Sequence, residues 1–175
     1  FLSFDLYAAF RWRPGASDVL SSQLVYLKGP RDSDDWKYWA ARFIQRRLNI
    51  AALDRPIRIV PAPSSTGKRD HAFFWAKALS HEVGGDLFPC LKKAQSRKQR
   101  GSSLSERLTL QFDLDENNSD LPIDWPEVLW VFADDIVTTG STALAAYKAL
   151  GSPPHFEVWT LAKRTLSCGA STDLL

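Results

Sequence analysis

The chain has 175 residues, of which 45% are hydrophobic and 24% charged, values typical of a single globular domain with one hydrophobic core. An aromatic content of 12%, with 7 Trp, excludes a disordered chain, and 9 Gly and 10 Pro are too few for a collagen-like or low-complexity sequence. The net charge of +2 provides no global attraction to nucleic acid or anionic lipid, so any site for an anion must be local.

Cysteine and histidine are scarce, with 2 Cys, at positions 90 and 168, and 3 His. No Cys-x-x-Cys pair or tetrahedral zinc set can be assembled from them by spacing. Two lone thiols, and an opening segment unlike a secretory leader, predict a cytoplasmic protein. The longest apolar run, residues 128–133, is far shorter than the roughly 20 residues of a membrane span, so we expect no membrane partner. The chain starts at Phe1 and contains no Met, which predicts a trimmed or processed N-terminus.

The N-terminal third of the chain predicts one clear helix. Residues 1–32 have no regular period, and residues 23–27 within them suit either a strand or a short helix. From Ser33 onward, apolar residues between Trp36 and Leu48 recur at intervals of three and four, which predicts a helix. We expect its tryptophans to pack in the core or at its edge rather than to bind a ligand.

A strand, a loop and a helix follow in order. Residues 57–60 are mostly β-branched and predict a strand, which ends at the loop of residues 61–69. Asp70 can cap the next helix, and the Gly84-Gly85 pair should end it. These elements form a first βα unit.

The segment after this unit is polar and basic. A second short strand is predicted within residues 87–91. Residues 92–103 then carry five Lys or Arg side chains and have no hydrophobic period. A solvated surface loop and a lid that closes over a ligand both fit this pattern, and the residues alone leave the two open.

A second βα unit lies in the C-terminal part of the chain. The continuous apolar run of residues 129–133 is typical of a strand buried on both faces. A helix is predicted over residues 142–150, ended by Gly151, and another strand over residues 156–161. Strands that alternate with helices predict an α/β fold, a parallel sheet with helices on both faces, formed by residues 1–175 as one domain.

Two segments bring reactive residue types to the edge where ligands of open parallel sheets bind. One is the loop of residues 61–69, and the other begins with Asp134 and Asp135 and continues into Thr-Thr-Gly-Ser-Thr at residues 138–142. Hydroxyls and unhindered amides at the start of a helix suit a phosphate. The acidic pair would repel that phosphate unless it faces sugar hydroxyls, a cation or a cation-like transition state. No Lys follows Gly140, so this is not a Walker loop.

Residues 131–142, read as apolar residues followed by Asp-Asp-Ile-Val-Thr-Thr-Gly-Ser-Thr, resemble the signature loop of the type I phosphoribosyltransferases, which binds 5-phosphoribosyl 1-diphosphate. The resemblance extends to the competence-related ComF group of that superfamily. Its further segments are residues 23–29, Val-Pro-Ala-Pro at 60–63, the helix of residues 70–79, and Gln99 with residues 104–107.

Two departures from the ComF group stand out. Gly-Lys-Arg at residues 67–69 replaces the usual Arg-Gly-Phe, and the N-terminal cysteine-rich zinc ribbon that is common in the group is absent from this sequence. The resemblance implies the type I phosphoribosyltransferase fold, a three-layer α/β arrangement of a parallel sheet with flanking helices. It also implies a small variable hood, formed by about residues 1–32 and 164–175.

The resemblance assigns a catalytic role to Asp134 and Asp135, which would face the ribose 2- and 3-hydroxyls and the developing positive charge. It implies Mg2+ as cofactor, held mainly through the substrate, with no direct protein ligand assigned and with coordination by these two aspartates left open. The loop that binds the ribose 5-phosphate would consist of Ile136, Val137, Thr138, Thr139, Gly140, Ser141 and Thr142.

Two further groups of residues are implied to contact the diphosphate. The residues that bind pyrophosphate would be Pro63, Ser64, Ser65, Lys68 and Arg69. A mobile loop that closes over it would contain Arg97, Lys98, Gln99, Arg100 and Arg107. Cations in loops are often only solvated, so for Lys68 and Arg69 the residues alone favour neither role. His71, near the start of a helix, is interpreted as structural rather than catalytic, and both thiols as inert.

The leading hypothesis is therefore a Mg2+-dependent phosphoribosyltransferase, with phosphoribosyl diphosphate and an unidentified base or amine as its partners and with a possible role in DNA uptake. The alternative is a non-catalytic nucleotide-binding or DNA-processing protein that retains the ribose-phosphate site. Direct contact of the basic segment with nucleic acid is possible but not favoured, because aromatic residues do not interleave with its cations. A homodimer or a competence-protein partner is also possible, and a phosphatase or kinase is disfavoured.

Overall fold

The computed structural model describes residues 4–13, 19–27, 34–47, 55–64, 70–94, 111–115 and 126–164. In chain order they form β1 (Asp5–Trp12), α1 (Val19–Leu27), α2 (Asp35–Arg46), β2 (Ile57–Pro61), α3 (His71–Val83), β3 (Asp86–Leu87), β4 (Leu91–Lys93), β5 (Phe112–Leu114), β6 (Leu129–Val137), α4 (Ser141–Ala149) and β7 (Phe156–Arg164). None of the helices in these ranges is both long and apolar enough to cross a membrane.

Five strands form one parallel sheet in the order β1-β7-β6-β2-β3, and β4 and β5 form a separate antiparallel pair. Strand β6 lies at the centre of the sheet, with Ala133 opposite Pro61 of β2 and Asp134 opposite Thr160 of β7. The predicted α/β fold with a parallel sheet is confirmed.

Strand β6 is apolar over its first half because both of its faces are buried. Side chains of a strand alternate between faces, and Val131 packs in the cluster that contains α3 while Phe132 packs in the cluster that contains α4. The strand does not end at residue 133 as predicted, since its ladder with β7 continues to Val137. The aspartates at positions 134 and 135 therefore belong to the strand itself.

Helices cover both faces of the sheet. The layer on one face is formed by α1, α2 and α3, whose buried side chains include Leu24, Trp36, Phe43, Trp75 and Leu79. The layer on the other is formed by α4 and the β4-β5 pair, whose buried side chains include Leu91, Phe112, Ala143, Ala145 and Ala146. This arrangement is compatible with the three-layer architecture expected from the sequence.

Helix α3 begins and ends where its sequence predicts. Oδ1 of Asp70 accepts a hydrogen bond of 2.9 Å from the backbone N–H of Phe73, which satisfies one of the free donors of the first turn. The helix ends at Gly84, whose φ of +64° lies in the left-handed region that glycine adopts without strain. The backbone N–H of Gly85 then donates to the carbonyl of Ser80 at 3.1 Å.

Helix α2 confirms the predicted amphipathic helix, and its carboxyl end is anchored to the sheet. Trp36 is only 2% exposed, so it packs in the core as expected. The guanidinium of Arg47, directly after the helix, lies 4.0 Å from the ring centroid of Tyr7 and 4.7 Å from that of Trp159. Arg47 also forms an ion pair with Glu157. This cluster joins α2 to β1 and β7.

The N-terminal segment contributes to the sheet and its helical layer. Strand β1 has no counterpart among the predicted elements, and it forms the edge of the sheet beside β7. Residues 23–27 are helical, as part of α1. The rest of the segments assigned to a hood, namely residues 1–3, 14–18, 28–32 and 165–175, lies outside the described residues. The hood therefore stays a prediction.

The short strand predicted within residues 87–91 is divided in two. Strand β3 pairs with β2 in the main sheet, whereas β4 pairs with β5. Pro89 lies between them, and a proline cannot donate a hydrogen bond to a neighbouring strand. The chain therefore leaves the main sheet after β3.

Burial makes the thiol of Cys90 unreactive. The residue is 0% exposed, and desolvation raises the pKa of its thiol from 9.0 to about 12. Because the thiolate is the nucleophile, we expect no reaction of folded Cys90 with a thiol reagent at about pH 8. The measurement uses a Cys168→Ser variant, since Cys168 lies outside the described residues, and full labelling should require denaturant. Fast labelling of the folded variant would contradict this prediction.

The same pKa difference links stability to pH. The unfolded thiol ionises as the pH rises through 9.0, while the folded thiol stays neutral up to about pH 12. The free energy of unfolding therefore falls as the pH rises over this alkaline range, and Cys90 contributes no pH dependence below it.

Candidate functional site

The centre of the sheet contains a topological switch point. From β2 the chain passes through α3 to β3 on one side, and from β6 it passes through α4 to β7 on the other, although β2 and β6 are hydrogen-bonded neighbours. The loops after two such strands diverge and leave a crevice beyond their carboxyl ends, which is where open α/β sheets bind ligands. The described residues of the two segments singled out in the sequence, residues 61–64 and 134–142, lie at or directly after the carboxyl ends of these two strands.

The acidic pair is held by its own backbone. Oδ1 of Asp134 accepts a hydrogen bond of 2.9 Å from the N–H of Asp135, and Oδ1 of Asp135 accepts one of 2.9 Å from the N–H of Ile136. Asp134 is buried, with 8% exposure, and Asp135 is partly buried. Consecutive residues of a strand face opposite ways, so the two carboxylates lie on opposite faces of the carboxyl-terminal part of β6.

A hydroxyl-rich turn connects β6 to α4. Gly140 has a φ of +80°, a left-handed conformation, and directly precedes the first residue of α4. Among the described residues, no atom lies within 4 Å of the position that a Cβ on Gly140 would occupy. The hydroxyls of Thr139 and Ser141 lie 3.1 Å apart, and both residues are exposed. Amides at the start of a helix and hydroxyls beside open space form a suitable site for a phosphate.

The neighbouring strand contributes the second wall of the crevice. The N–H of Ala62 donates to the carbonyl of Ala133 at 2.8 Å, which holds the chain after β2 against β6. Pro63 and Ser64, both half-buried, follow directly. The structure therefore brings two of the residues predicted to bind pyrophosphate next to the acidic strand. Ser65, Lys68 and Arg69 lie outside the described residues.

The predicted mobile loop also lies outside the described residues, which omit Arg97, Lys98, Gln99, Arg100 and Arg107. The residues directly before and after this segment are described. The N–H of Ala94, after β4, donates to the carbonyl of Gln111, before β5, at 3.1 Å. Ala94 and Gln111, the described residues on either side of this segment, are therefore hydrogen-bonded neighbours beside the β4-β5 pair.

The structure adds His71 to the site, which was predicted to be structural. Nδ1 of His71 lies 3.9 Å from Oδ2 of Asp135. His71 is the first residue of α3, and α3 starts from the loop that follows β2. A signal for this contact is present in the sequence: the residue after a helix cap, in the βα unit next to the acidic strand, comes close to the strand's carboxyl end.

The side chains near the crevice that could bind a metal ion determine whether the site suits magnesium. Within the described residues, no group of three or more His, Cys, Asp or Glu side chains could hold a metal ion by itself. Mg2+ commonly binds through one or two protein carboxylates, with phosphate groups of the substrate and water as its other ligands. The adjacent carboxylates of Asp134 and Asp135, beside a turn suited to phosphate, fit this mode of binding.

Comparisons with protein-family models and with curated proteins find no match for this chain. The chemistry of the crevice is therefore the basis for assigning a function. It combines two fixed carboxylates, a turn of hydroxyls and amides at the start of a helix, and an adjacent loop from β2.

Proposed function

We propose that the chain binds 5-phosphoribosyl 1-diphosphate in the crevice beyond the carboxyl ends of β2 and β6 and transfers its phosphoribosyl group to a base or an amine. The observation that carries the proposal is the order of groups along β6. Two carboxylates, fixed by hydrogen bonds of 2.9 Å, are followed, after two more residues of the strand, by a turn that suits a phosphate. A sugar with a phosphate at one end matches this order.

The 5-phosphate would bind at the turn before α4. The hydroxyls of Thr139 and Ser141 can donate hydrogen bonds, and the open space beside Gly140 lets an anion approach the backbone. The positive end of the helix macrodipole adds attraction for the anion. None of these contributions requires a lysine, which agrees with the lack of a Walker motif.

The carboxylates of Asp134 and Asp135 would accept hydrogen bonds from the ribose hydroxyls. In the transfer, the bond from the sugar C1 to the diphosphate oxygen breaks and pyrophosphate leaves with the electron pair. A nitrogen of the acceptor forms the new bond to C1 and then loses a proton. Negative charge fixed before the reaction stabilises the positive charge that develops on the sugar, and it needs no reorganisation at that moment.

Asp134 and Asp135 would also hold the magnesium ion together with the diphosphate. When bound, the ion supplies neutralisation of the charge on the leaving pyrophosphate. Pro63 and Ser64, which follow β2 beside the acidic strand, would contact the same group.

Calorimetric titration tests the binding part of this proposal. We expect saturable binding of 5-phosphoribosyl 1-diphosphate in the presence of Mg2+, and weaker binding of ribose 5-phosphate or pyrophosphate alone, because each occupies only part of the crevice. Absence of binding of the diphosphate ester would overturn the proposal. Binding without pyrophosphate release, on screening bases and amines as acceptors, would instead identify a protein that retains the site but not the reaction.

A further inference from the structure

We propose that His71 is a positioning residue that holds the Asp135 carboxylate in the orientation needed by a phosphoribosyl ligand. The inference rests on the proposed function and deepens it, since it adds a residue from α3 to the site on β6. The juxtaposition that carries it is the 3.9 Å approach of His71 Nδ1 to Asp135 Oδ2.

The oxygen of Asp135 that approaches His71 is Oδ2. Oδ1 already accepts from the N–H of Ile136 at 2.9 Å, so rotation of the carboxylate is restricted and Oδ2 faces the imidazole. A separation of 3.9 Å is within the range of an ion pair and longer than a hydrogen bond. Contacts of this kind are often long before a ligand binds and shorten in the complex.

The imidazole is held in place by its surroundings. Its ring stacks on the ring of Trp36, with centroids 6.3 Å apart and an angle of 22° between the planes. The backbone of His71 is fixed at the start of α3, next to the cap residue Asp70. The side chains of His71 and Asp135 are only 18% and 19% exposed, so solvent screens their interaction weakly.

The surroundings also select one tautomer of His71. Nε2 is buried and has no hydrogen-bond partner among the residues that the structure describes. A proton on Nε2 would be a buried donor without an acceptor, whereas a proton on Nδ1 faces a carboxylate. We therefore expect neutral His71 to carry its proton on Nδ1, where it directs a donor at Asp135.

Binding measurements test the positioning role. His71→Leu fills a similar volume without a donor, whereas His71→Asn retains an N–H near the position of Nδ1. His81→Leu is the matched control, because His81 lies on the same helix with its side chain 73% exposed. For 5-phosphoribosyl 1-diphosphate with Mg2+, we expect His71→Leu to weaken affinity about tenfold, and the other two variants to stay within about threefold of wild type.

A spectroscopic measurement tests the contact without any ligand. The 15N chemical shifts of the imidazole distinguish a proton on Nδ1 from a proton on Nε2. We expect the Nδ1 form for His71 in the wild-type protein and a shift toward the Nε2 form in Asp135→Ala. Urea unfolding of each variant shows whether the variant folds. If His71→Leu weakens affinity while the tautomer of His71 is the same in Asp135→Ala as in the wild-type protein, the effect on affinity is structural only.

The outcomes separate this inference from the proposed function. Unchanged affinity in His71→Leu, failure of His71→Asn to retain binding, or a proton on Nε2 would each overturn the positioning role. If the wild-type protein does not bind the ligand, the proposed function fails and the positioning role fails with it. The tautomer measurement then still decides whether the contact between His71 and Asp135 exists.

Discussion

Replacing Asp135 by Asn is expected to weaken Mg2+-dependent binding of 5-phosphoribosyl 1-diphosphate at least about tenfold, and the double replacement with Asp134→Asn to abolish it. The carboxylates would accept hydrogen bonds from the ribose and hold the magnesium ion, and an amide has neither the charge nor two acceptor oxygens. An Asn keeps one carbonyl oxygen, so the hydrogen bonds of 2.9 Å from the N–H groups of Asp135 and Ile136 can persist. The variants should therefore fold normally.

The matched control for these variants is Glu127→Gln. Glu127 is exposed and lies just before β6, at the opposite end of the same strand, so the change removes an equal charge away from the crevice. Its affinity, measured by the same titration, should equal that of the wild type. Equal affinities for the wild type and the double aspartate variant would place the ligand elsewhere on the molecule.

Replacing Trp75 by Ala is expected to destabilise the fold by about 3–5 kcal/mol. The side chain is 0% exposed at the centre of the layer formed by α2 and α3, where its ring lies 5.7 Å from that of Phe43. Its Nε1–H donates to the carbonyl of Trp159 at 3.0 Å, which links α3 to β7. The loss of free energy of unfolding combines a cavity with an unpaired buried carbonyl, and urea denaturation followed by circular dichroism measures it.

Two further variants separate these contributions. Trp75→Phe keeps much of the ring volume but removes the donor, so a smaller loss of about 1–3 kcal/mol is expected. Tyr38→Ala on α2 is the surface control, because Tyr38 is 55% exposed, and its change should stay within about 0.5 kcal/mol. Similar losses for Trp75→Ala and Tyr38→Ala would contradict the central role of the Trp75 contact.

Local sequence signals predicted the interior of the fold. The continuous apolar run of residues 129–133 identified a strand buried on both faces, because burial on both faces removes the polar alternation. Asp70 and Gly84 marked the limits of α3, since a side-chain cap and a left-handed glycine act within one turn. Signals of this kind depend only on neighbours in the chain.

The features that the sequence left open depend on distant contacts. Strand β1 pairs with β7, so Asp5 lies opposite Glu157, although most of the chain separates these two residues in sequence. The local pattern of β1 does not encode this pairing. The extension of β6 to Val137 likewise follows from its ladder with β7. For β1 and for the carboxyl end of β6, pairing with β7 determines the extended conformation.

The candidate site also combines residues that the local sequence identifies with residues that only tertiary contacts bring together. Asp134, Asp135 and the turn around Gly140 could be identified from their order along the chain. The sequence places His71 at the start of the helix that follows β2, but its approach to Asp135 depends on the pairing of β2 with β6, which the local pattern does not encode. The described parts of the predicted pyrophosphate loop, Pro63 and Ser64, were brought beside β6 by the pairing of β2 with that strand.

A crystal structure of the chain with 5-phosphoribosyl 1-diphosphate and Mg2+ would locate the ligand. We expect the 5-phosphate at the turn that contains Thr139, Gly140 and Ser141, with the ribose hydroxyls facing Asp134 and Asp135. The diphosphate should point toward the loop after β2. A ligand bound away from the crevice beyond the carboxyl ends of β2 and β6, or a crevice that stays empty at saturating ligand, would contradict the proposed function.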